Sequence, residues 1–396
     1  MKLKEAACKL QAARAELEQA QGIHVAETQL AQTRVTDVSK MLNTAADMLH
    51  KLASDRPQAC LSEGLVGKAG IGKTTLAKLV YNDKRIDDHF DLKMWICVPA
   101  DPDINILMQR IYGFAANQNP DNLIILGDKL VSLLQKALLG KKILLVLDNV
   151  LNMNNDNFLR LMKVLEEADE CKILVTTHSN LIANDIGAID SHVLGGLSHK
   201  DSMSLFVKYA FGDPAKNEHQ DLIKIVEKAN SEHQDLIKIV DKCDGIPLVV
   251  KILGTLCQNT DPGNWLLIEH NDFWREIQER NNIIPMLKLS YTSLPSRLQI
   301  CLKHCSLFPK GFCFNSHYLI HYWIAQDFLQ FGDNNKELED IGEAYLNELF
   351  LTNFFQDVAN HGYYFTFKLH DFIYDFVLQE AQNDCHTGST FVISWY

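Results

Sequence analysis

The densest chemistry in the sequence lies in Gly67-Lys-Ala-Gly70-Ile-Gly72-Lys73-Thr74-Thr75. The run satisfies G-x-x-x-x-G-K-[ST], in which glycines let successive backbone N–H groups converge on one anion and the following helix adds its positive end. Lys73 is spaced to reach the outer phosphates of a nucleotide, and the Thr74 hydroxyl to ligate Mg²⁺. A Gly-rich turn before any helix has a similar composition, so a second element is needed. Lys141-Lys-Ile-Leu-Leu-Val-Leu-Asp148 supplies it as an apolar strand ending in a carboxylate. In phosphate-loop proteins that carboxylate orients the metal that rides with the nucleotide. The two signals, in this order and with another strand between them, predict a phosphate-binding site.

A parallel sheet must position these groups. Apolar strands are predicted at Met94–Val98, Ile143–Leu147 and Lys172–Thr177, each followed by polar turn residues and a helix-period stretch. Such alternation predicts an α/β unit with helices on both faces of the sheet. After Leu194 strand signals fade and helical segments dominate up to Glu380. At the N-terminus Leu3, Leu10 and Leu17 recur with Ala6, Ala13 and Ala20, then Gln21-Gly22 interrupts and Val35, Val38, Leu42, Ala45, Leu49 and Leu52 resume in a new frame. That spacing predicts a helical hairpin packed on the next domain, with a self-associating coiled coil as the alternative. Glu218–Val226 recurs letter for letter as Glu232–Val240. Two copies are too few and too short for a solenoid, so the repeat reads as a local duplication that lengthens one helix or adds another.

Composition bounds the function. The 396 residues are 47% hydrophobic and 22% charged, which excludes wholesale disorder and low complexity and allows two to three domains. Acidic residues outnumber basic ones by 50 to 38, a net charge of -12, so no global basic field invites nucleic acid. No apolar run approaches the ~20 residues that span a bilayer. Ten scattered cysteines, with no signal-like start, read as reduced thiols of a cytoplasmic protein. Cys301, Cys305 and Cys313 with His304, His317 and His321 lack the paired spacing of zinc modules and read as core. Phe350, Phe354, Phe355, Tyr363, Tyr364, Phe365 and Phe367 have too few basic neighbours for a base-stacking platform and read as a hairpin over a core.

Seven further segments, in order over residues 65–380, resemble the NB-ARC nucleotide-binding switch of plant NLR disease-resistance proteins of the coiled-coil type. Phe90–Val98 is similar to the family's second strand, Leu144–Val150 to its Walker B segment, and Lys172–Thr177 to its sensor strand. Leu194-Gly-Gly-Leu-Ser with Ser204-Leu-Phe206 resembles the start of its helical subdomain. Cys243-Asp-Gly245-Ile-Pro247-Leu248 resembles the GLPL motif, Cys301–Pro309 the start of its winged helix, and Lys368-Leu-His370-Asp371 the MHD motif. The resemblance implies a helical hairpin or coiled-coil remnant at 1–60, an α/β P-loop NTPase domain at 61–193, a helical subdomain at 194–284 carrying the duplication, a winged-helix subdomain at 285–380 and a tail at 381–396. It also implies an ADP/ATP-controlled switch acting through protein partners: other immune receptors, effectors, or copies of itself joined by the N-terminal helices. Neither nucleic acid nor stable membrane insertion is expected. Gly67, Gly70, Gly72, Lys73, Thr74 and Thr75 would bind phosphates, and Asp148 would hold Mg²⁺ with Thr74. Pro247 would pack on adenine, and His370 would reach the ADP β-phosphate.

Three departures qualify that expectation. Asn149 stands where the family carries a second acid, and an amide takes no proton at neutral pH. His178 stands where the family has an Arg that reads the γ-phosphate, and it is shorter and mostly neutral. Both predict nucleotide binding with little or no hydrolysis. Ser62-Glu63-Gly64 occupies the strand before the phosphate loop, where a buried glutamate costs several kcal/mol, so that strand is expected to be frayed or joined on after a deletion. With no leucine-rich repeats after Asp371, the sequence reads as a shortened family member. A nucleotide-free interaction fragment and an active P-loop NTPase or kinase are the competing readings. The kinase reading is weakened because residues 150–200 hold a single arginine, Arg160.

Overall fold

The strand leading into the phosphate loop, β1 (Leu61–Val66), lies inside a parallel sheet with β2 (Leu92–Cys97), β3 (Lys142–Asp148), β4 (Glu170–Thr177) and β5 (Asp190–Val193), ordered β2-β3-β4-β1-β5. The computed structural model describes residues 44–48, 52, 61–99, 102–118, 127–153, 155–179, 182–183, 190–211, 234–258, 271, 273–280, 282–329 and 337–386. They divide into two compact units, one holding Ser39–His199 with Cys243–Leu248, the other holding Lys200–Lys242 and Val249–Tyr396. Apart from helical residues at 44–48 and 52, the expected hairpin at 1–60 lies outside the described residues. So do the first copy of the duplicated segment and residues 387–396 of the expected tail.

In the first unit, helices α1 (Lys73–Tyr81) and α2 (Lys84–His89) follow β1, and α3 (Ile104–Ala116) and α4 (Asp128–Leu138) follow β2. Helix α5 (Asn155–Leu165) links β3 to β4. The three strands foreseen are present, each slightly longer or shifted at its start. Their alternation sorts the side chains. Ile143, Leu145, Leu147, Ile173 and Val175 join Leu107, Ile111, Leu134 and Leu161 in one core under α3, α4 and α5. Leu144, Val146, Leu174 and Thr176 alternate with them, as a period of two requires, and are buried too. Burial on both faces is what a parallel sheet demands.

The frayed-strand expectation is overturned. β1 pairs continuously with β4 from Leu61↔Lys172 to Val66↔Thr177 and with β5 from Glu63↔Asp190 to Val66↔Val193. Glu63 is only 8% exposed, and its carboxylate lies 3.5 Å from His192 Nε2 on β5. A neighbouring imidazole and full backbone pairing carry the strand past the cost that its sequence implies. β5, an edge strand, was not foreseen, since Asp190-Ser-His-Val carries no apolar run. Cys171 in β4 is disulfide-bonded, against the expectation that every cysteine is a thiol. Sequence spacing carries no information on which sulfurs a fold brings within bonding distance.

The second unit is helical, with α6 (His199–Phe211), α7 (Gln234–Lys242), α8 (Pro247–Gln258), α9 (Phe273–Arg280), α10 (Ile284–Thr292), α11 (Ser296–Cys305), α12 (Ser316–Ala325), α13 (Leu338–Phe350) and α14 (Asp371–His386). The N-terminal ends of α6 and α8 lie in the first. A three-stranded antiparallel sheet, β6 (Cys313–Asn315), β8 (Phe365–Leu369) and β7 (Phe355–Asn360), completes it. The β7–β8 hairpin sets Phe355 at a tilt against Phe367 at 4.7 Å and Phe350 edge-on to Phe367 at 5.0 Å, the aromatic core expected. Cys301, His304 and Cys305 are buried in α11, as expected, and burial pushes the Cys301 thiol up to about 12, whereas Cys313, His317 and His321, also expected in the core, are exposed because they lie on the outer side of β6 and α12. No described helix is long and apolar enough to cross a membrane.

Candidate functional site

The loop between β1 and α1 is anchored at both ends by backbone bonds. Gly67 N–H donates to Thr177 O at 3.3 Å, which ties the loop's start to the end of β4. The first helical bond of α1 runs from Leu76 N–H to Gly72 O at 3.0 Å, and no side chain caps Gly72. The N–H groups of Lys73, Thr74 and Thr75 therefore have no intrahelical acceptor, and the positive helix end is open to an anion. Gly70 sits at φ +71, and a Cβ there would lie 2.8 Å from Leu248 Cβ. Leu248 N–H donates to Gly70 O at 3.3 Å, so Cys243–Leu248 braces the loop.

Lys73 is 8% exposed, and its ammonium donates to Gly67 O at 2.8 Å and Lys68 O at 2.9 Å. Burial lowers its pKa to about 8, against the opposing pull of Asp148. Thr74 Oγ1 donates to Asp148 Oδ1 at 2.9 Å, and Thr176 Oγ1 donates to the same oxygen at 2.6 Å. Burial raises the pKa of Asp148, while the bonds from Thr176 and Thr74 and the charges of Lys78 and Lys73 lower it. Asn149 follows at φ +62, a region that asparagine and aspartate enter more readily than other side chains. Its Nδ2 is buried without a partner. His178 projects from the end of β4, and burial followed by the charge of Lys73 lowers its pKa, which keeps the ring neutral at pH 7.

The fold thus brings Gly67, Gly70, Gly72, Lys73, Thr74, Asp148 and Asn149 to the carboxyl ends of β1 and β3, with His178 at the end of β4. Thr75 is exposed on the first turn of α1. Pro247 opens α8, where its missing N–H costs nothing. His370 belongs to the other unit, at the start of α14, where its Nδ1 accepts from Phe372 N–H at 3.3 Å. Two features escaped the sequence. Thr176 was read only as part of a strand, though two threonines ending an apolar run were a usable signal. The ion pair of Lys68 with Asp244 had none, because 176 residues separate the partners.

Residues 38–216 match the NB-ARC domain, and residues 307–377 match the disease resistance protein winged helix domain. Disease resistance protein RGA2 of Solanum bulbocastanum is 35% identical over 326 residues, covering 78% of this chain and 31% of that protein. Disease resistance RPP13-like protein 4 of Arabidopsis thaliana is 30% identical over 336 residues, covering 81% of this chain and 37% of that protein. The chain carries NB-ARC and disease-resistance winged helix domains and is homologous to plant disease-resistance proteins. It spans about a third of the length of these relatives. A signal transduction ATPase with numerous domains and a tetratricopeptide repeat sensor from Pyrococcus horikoshii aligns over 87% of this chain and 45% of that one, at 15% identity and a TM-score of 0.45, a likeness too slight to carry an argument.

The NB-ARC match holds the loop from Gly67 to Thr75, Asp148, Asn149 and His178. His370 falls in the winged helix match, and Pro247 lies between the two. The donor set fits a Mg-nucleotide. An uncapped helix start and a lysine suit phosphates, and a hydroxyl beside a buried carboxylate suits a hard divalent cation.

Proposed function

We propose that this chain binds ADP and ATP, with Mg²⁺, at the loop Gly67–Thr75 and serves as a nucleotide switch in plant immunity. The observation that carries the reading is Thr74 Oγ1 at 2.9 Å from Asp148 Oδ1, beside the uncapped start of α1. The main-chain N–H groups of Lys73–Thr75 and the ammonium of Lys73 hold phosphate oxygens, and Thr74 and Asp148 hold the cation. Bound Mg²⁺ neutralises charge on the phosphate oxygens. Pro247 packs on the adenine, and His370 contacts the β-phosphate of ADP. ADP favours a closed state, and exchange for ATP permits oligomerisation and signalling with protein partners in the cytoplasm. Asn149 offers a donor but no base, and His178 is a short neutral ring, so hydrolysis is slow or absent. Continuous pairing of β1 counts against the nucleotide-free reading, which leaned on a damaged strand there.

The test is unfolding of the purified chain with ADP, ATP and Mg²⁺. A ligand at a hundredfold excess over its Kd adds about 2.7 kcal/mol. Stabilisation by ADP-Mg²⁺ without steady ATP turnover is expected. Turnover well above background that Lys73→Ala abolishes would overturn the non-hydrolysing switch, and no shift with either nucleotide would overturn binding.

A further inference from the structure

We propose that Thr176 is the positioning residue that sets the metal-binding carboxylate of this site, an assignment that rests on the nucleotide reading above. Its side chain is 1% exposed, in the strand that separates β1 from β3. Three bonds converge on it. Its hydroxyl donates to Asp148 Oδ1 at 2.6 Å and accepts from Asn149 N–H at 2.8 Å, and its carbonyl accepts from Val150 N–H at 2.9 Å. One residue therefore grips three consecutive positions, at the point where β3 leaves the ladder after Leu147↔Val175.

The grip has two consequences. Asn149 stands in the left-handed region, where a non-glycine residue persists only if its surroundings hold it, and both amides flanking its Cα are held by Thr176. Asp148 accepts two hydroxyls on one oxygen, from Thr74 and Thr176, which fixes the rotation of its carboxylate. A carboxylate locked in one rotamer offers a cation its second oxygen and the Thr74 hydroxyl without reordering. Strand propensity alone does not call for this hydroxyl, since valine has the same branching and nearly the same volume.

Thr176→Val and Thr176→Ser separate the hydroxyl from the packing. The readout is the affinity of a fluorescent ADP analogue with saturating Mg²⁺ and with EDTA. Wild type should gain affinity from Mg²⁺. Thr176→Val should lose about tenfold or more of that gain, about 1.4 kcal/mol, with its EDTA affinity within about twofold of wild type. Thr176→Ser should keep the gain. Retention of the full gain by Thr176→Val, an equal loss with and without Mg²⁺, or loss of the gain by Thr176→Ser overturns the assignment while leaving nucleotide binding intact. Wild type that ignores Mg²⁺ overturns it too, and wild type that binds no nucleotide overturns the functional reading with it. Thr176→Ala provides the same comparison should the valine variant not fold.

Discussion

Lys73 is a residue of the candidate site whose burial costs stability. Burial holds its folded pKa at about 8, below the 10.5 of a free lysine. The native state therefore binds fewer protons than the unfolded chain between these values, and this group's contribution makes stability rise with pH across that window. Below pH 8 the buried charge is a penalty. Lys73→Met is expected to stabilise the nucleotide-free protein at pH 7 by on the order of 1–3 kcal/mol, a gain that shrinks toward pH 10 and that urea titrations at several pH values measure. The same substitution should remove the stabilisation given by ADP. Wild-type affinity for ADP should fall as pH rises through about 8, where the free site loses the cation that grips the phosphates, and calorimetry in two buffers should detect proton uptake above that pH. Lys73, Thr74 and Asp148 were legible in the sequence because phosphate chemistry needs these types at these spacings. Thr176 was not, because a threonine in a strand is first a strand former and only its neighbours across the ladder set its hydroxyl against Asp148.

At the scale of elements, β2, β3 and β4 were legible from apolar runs, whereas β1 was misjudged because Glu63 breaks its pattern. That carboxylate retains an unsatisfied oxygen beside His192, whose Nε2 is also unsatisfied. Replacing both with valine removes a buried, poorly paired carboxylate and its partly buried imidazole neighbour on the edge strand. We expect Glu63→Val/His192→Val to stabilise the fold by on the order of 1–4 kcal/mol, and His192→Ala alone to destabilise it by stranding the carboxylate. Denaturant midpoints distinguish the two signs. The crossing of two loops in the same unit is less forgiving. Gly245 sits at φ +66, and a Cβ there would lie 2.5 Å from Leu197 O and 2.7 Å from Leu197 N. Backbone cannot yield as a side-chain tip does, and Gly245 O also accepts from Leu197 N–H at 2.8 Å. Gly245→Ala should therefore cost about 2–4 kcal/mol, from strain at a positive φ added to a forced displacement of that loop. A loss below about 0.5 kcal/mol in urea unfolding would mean that the crossing relaxes freely.

For the whole molecule, motif order implied a succession of domains, and Cys243–Leu248, expected in the helical subdomain, belongs instead to the same compact unit as the phosphate loop. Under the switch reading, the chemistry that would tell ADP from ATP falls on single residues, and His370 is the sharpest of them. Its Nδ1 accepts from Phe372 N–H at 3.3 Å, so a neutral ring carries its proton on Nε2. The proton thus sits on the nitrogen that the local backbone does not use as an acceptor, as a donor to phosphate requires. Under the switch reading, that donor meets the terminal phosphate of ADP and lacks the same partner when ATP is bound. A ligand biases an equilibrium only by its differential affinity for the two states, so loss of a contact specific to ADP must fall on ADP alone. His370→Ala should speed ADP release by about tenfold, the loss of one hydrogen bond to a charged group, while ATP release stays within about twofold. Stopped-flow displacement of fluorescent ADP and ATP analogues measures both rates. His370→Gln, which keeps a donor, should restore part of the ADP residence time. Equal acceleration of both nucleotides would assign His370 to general stability of the winged helix, and no change in either would remove it from the switch.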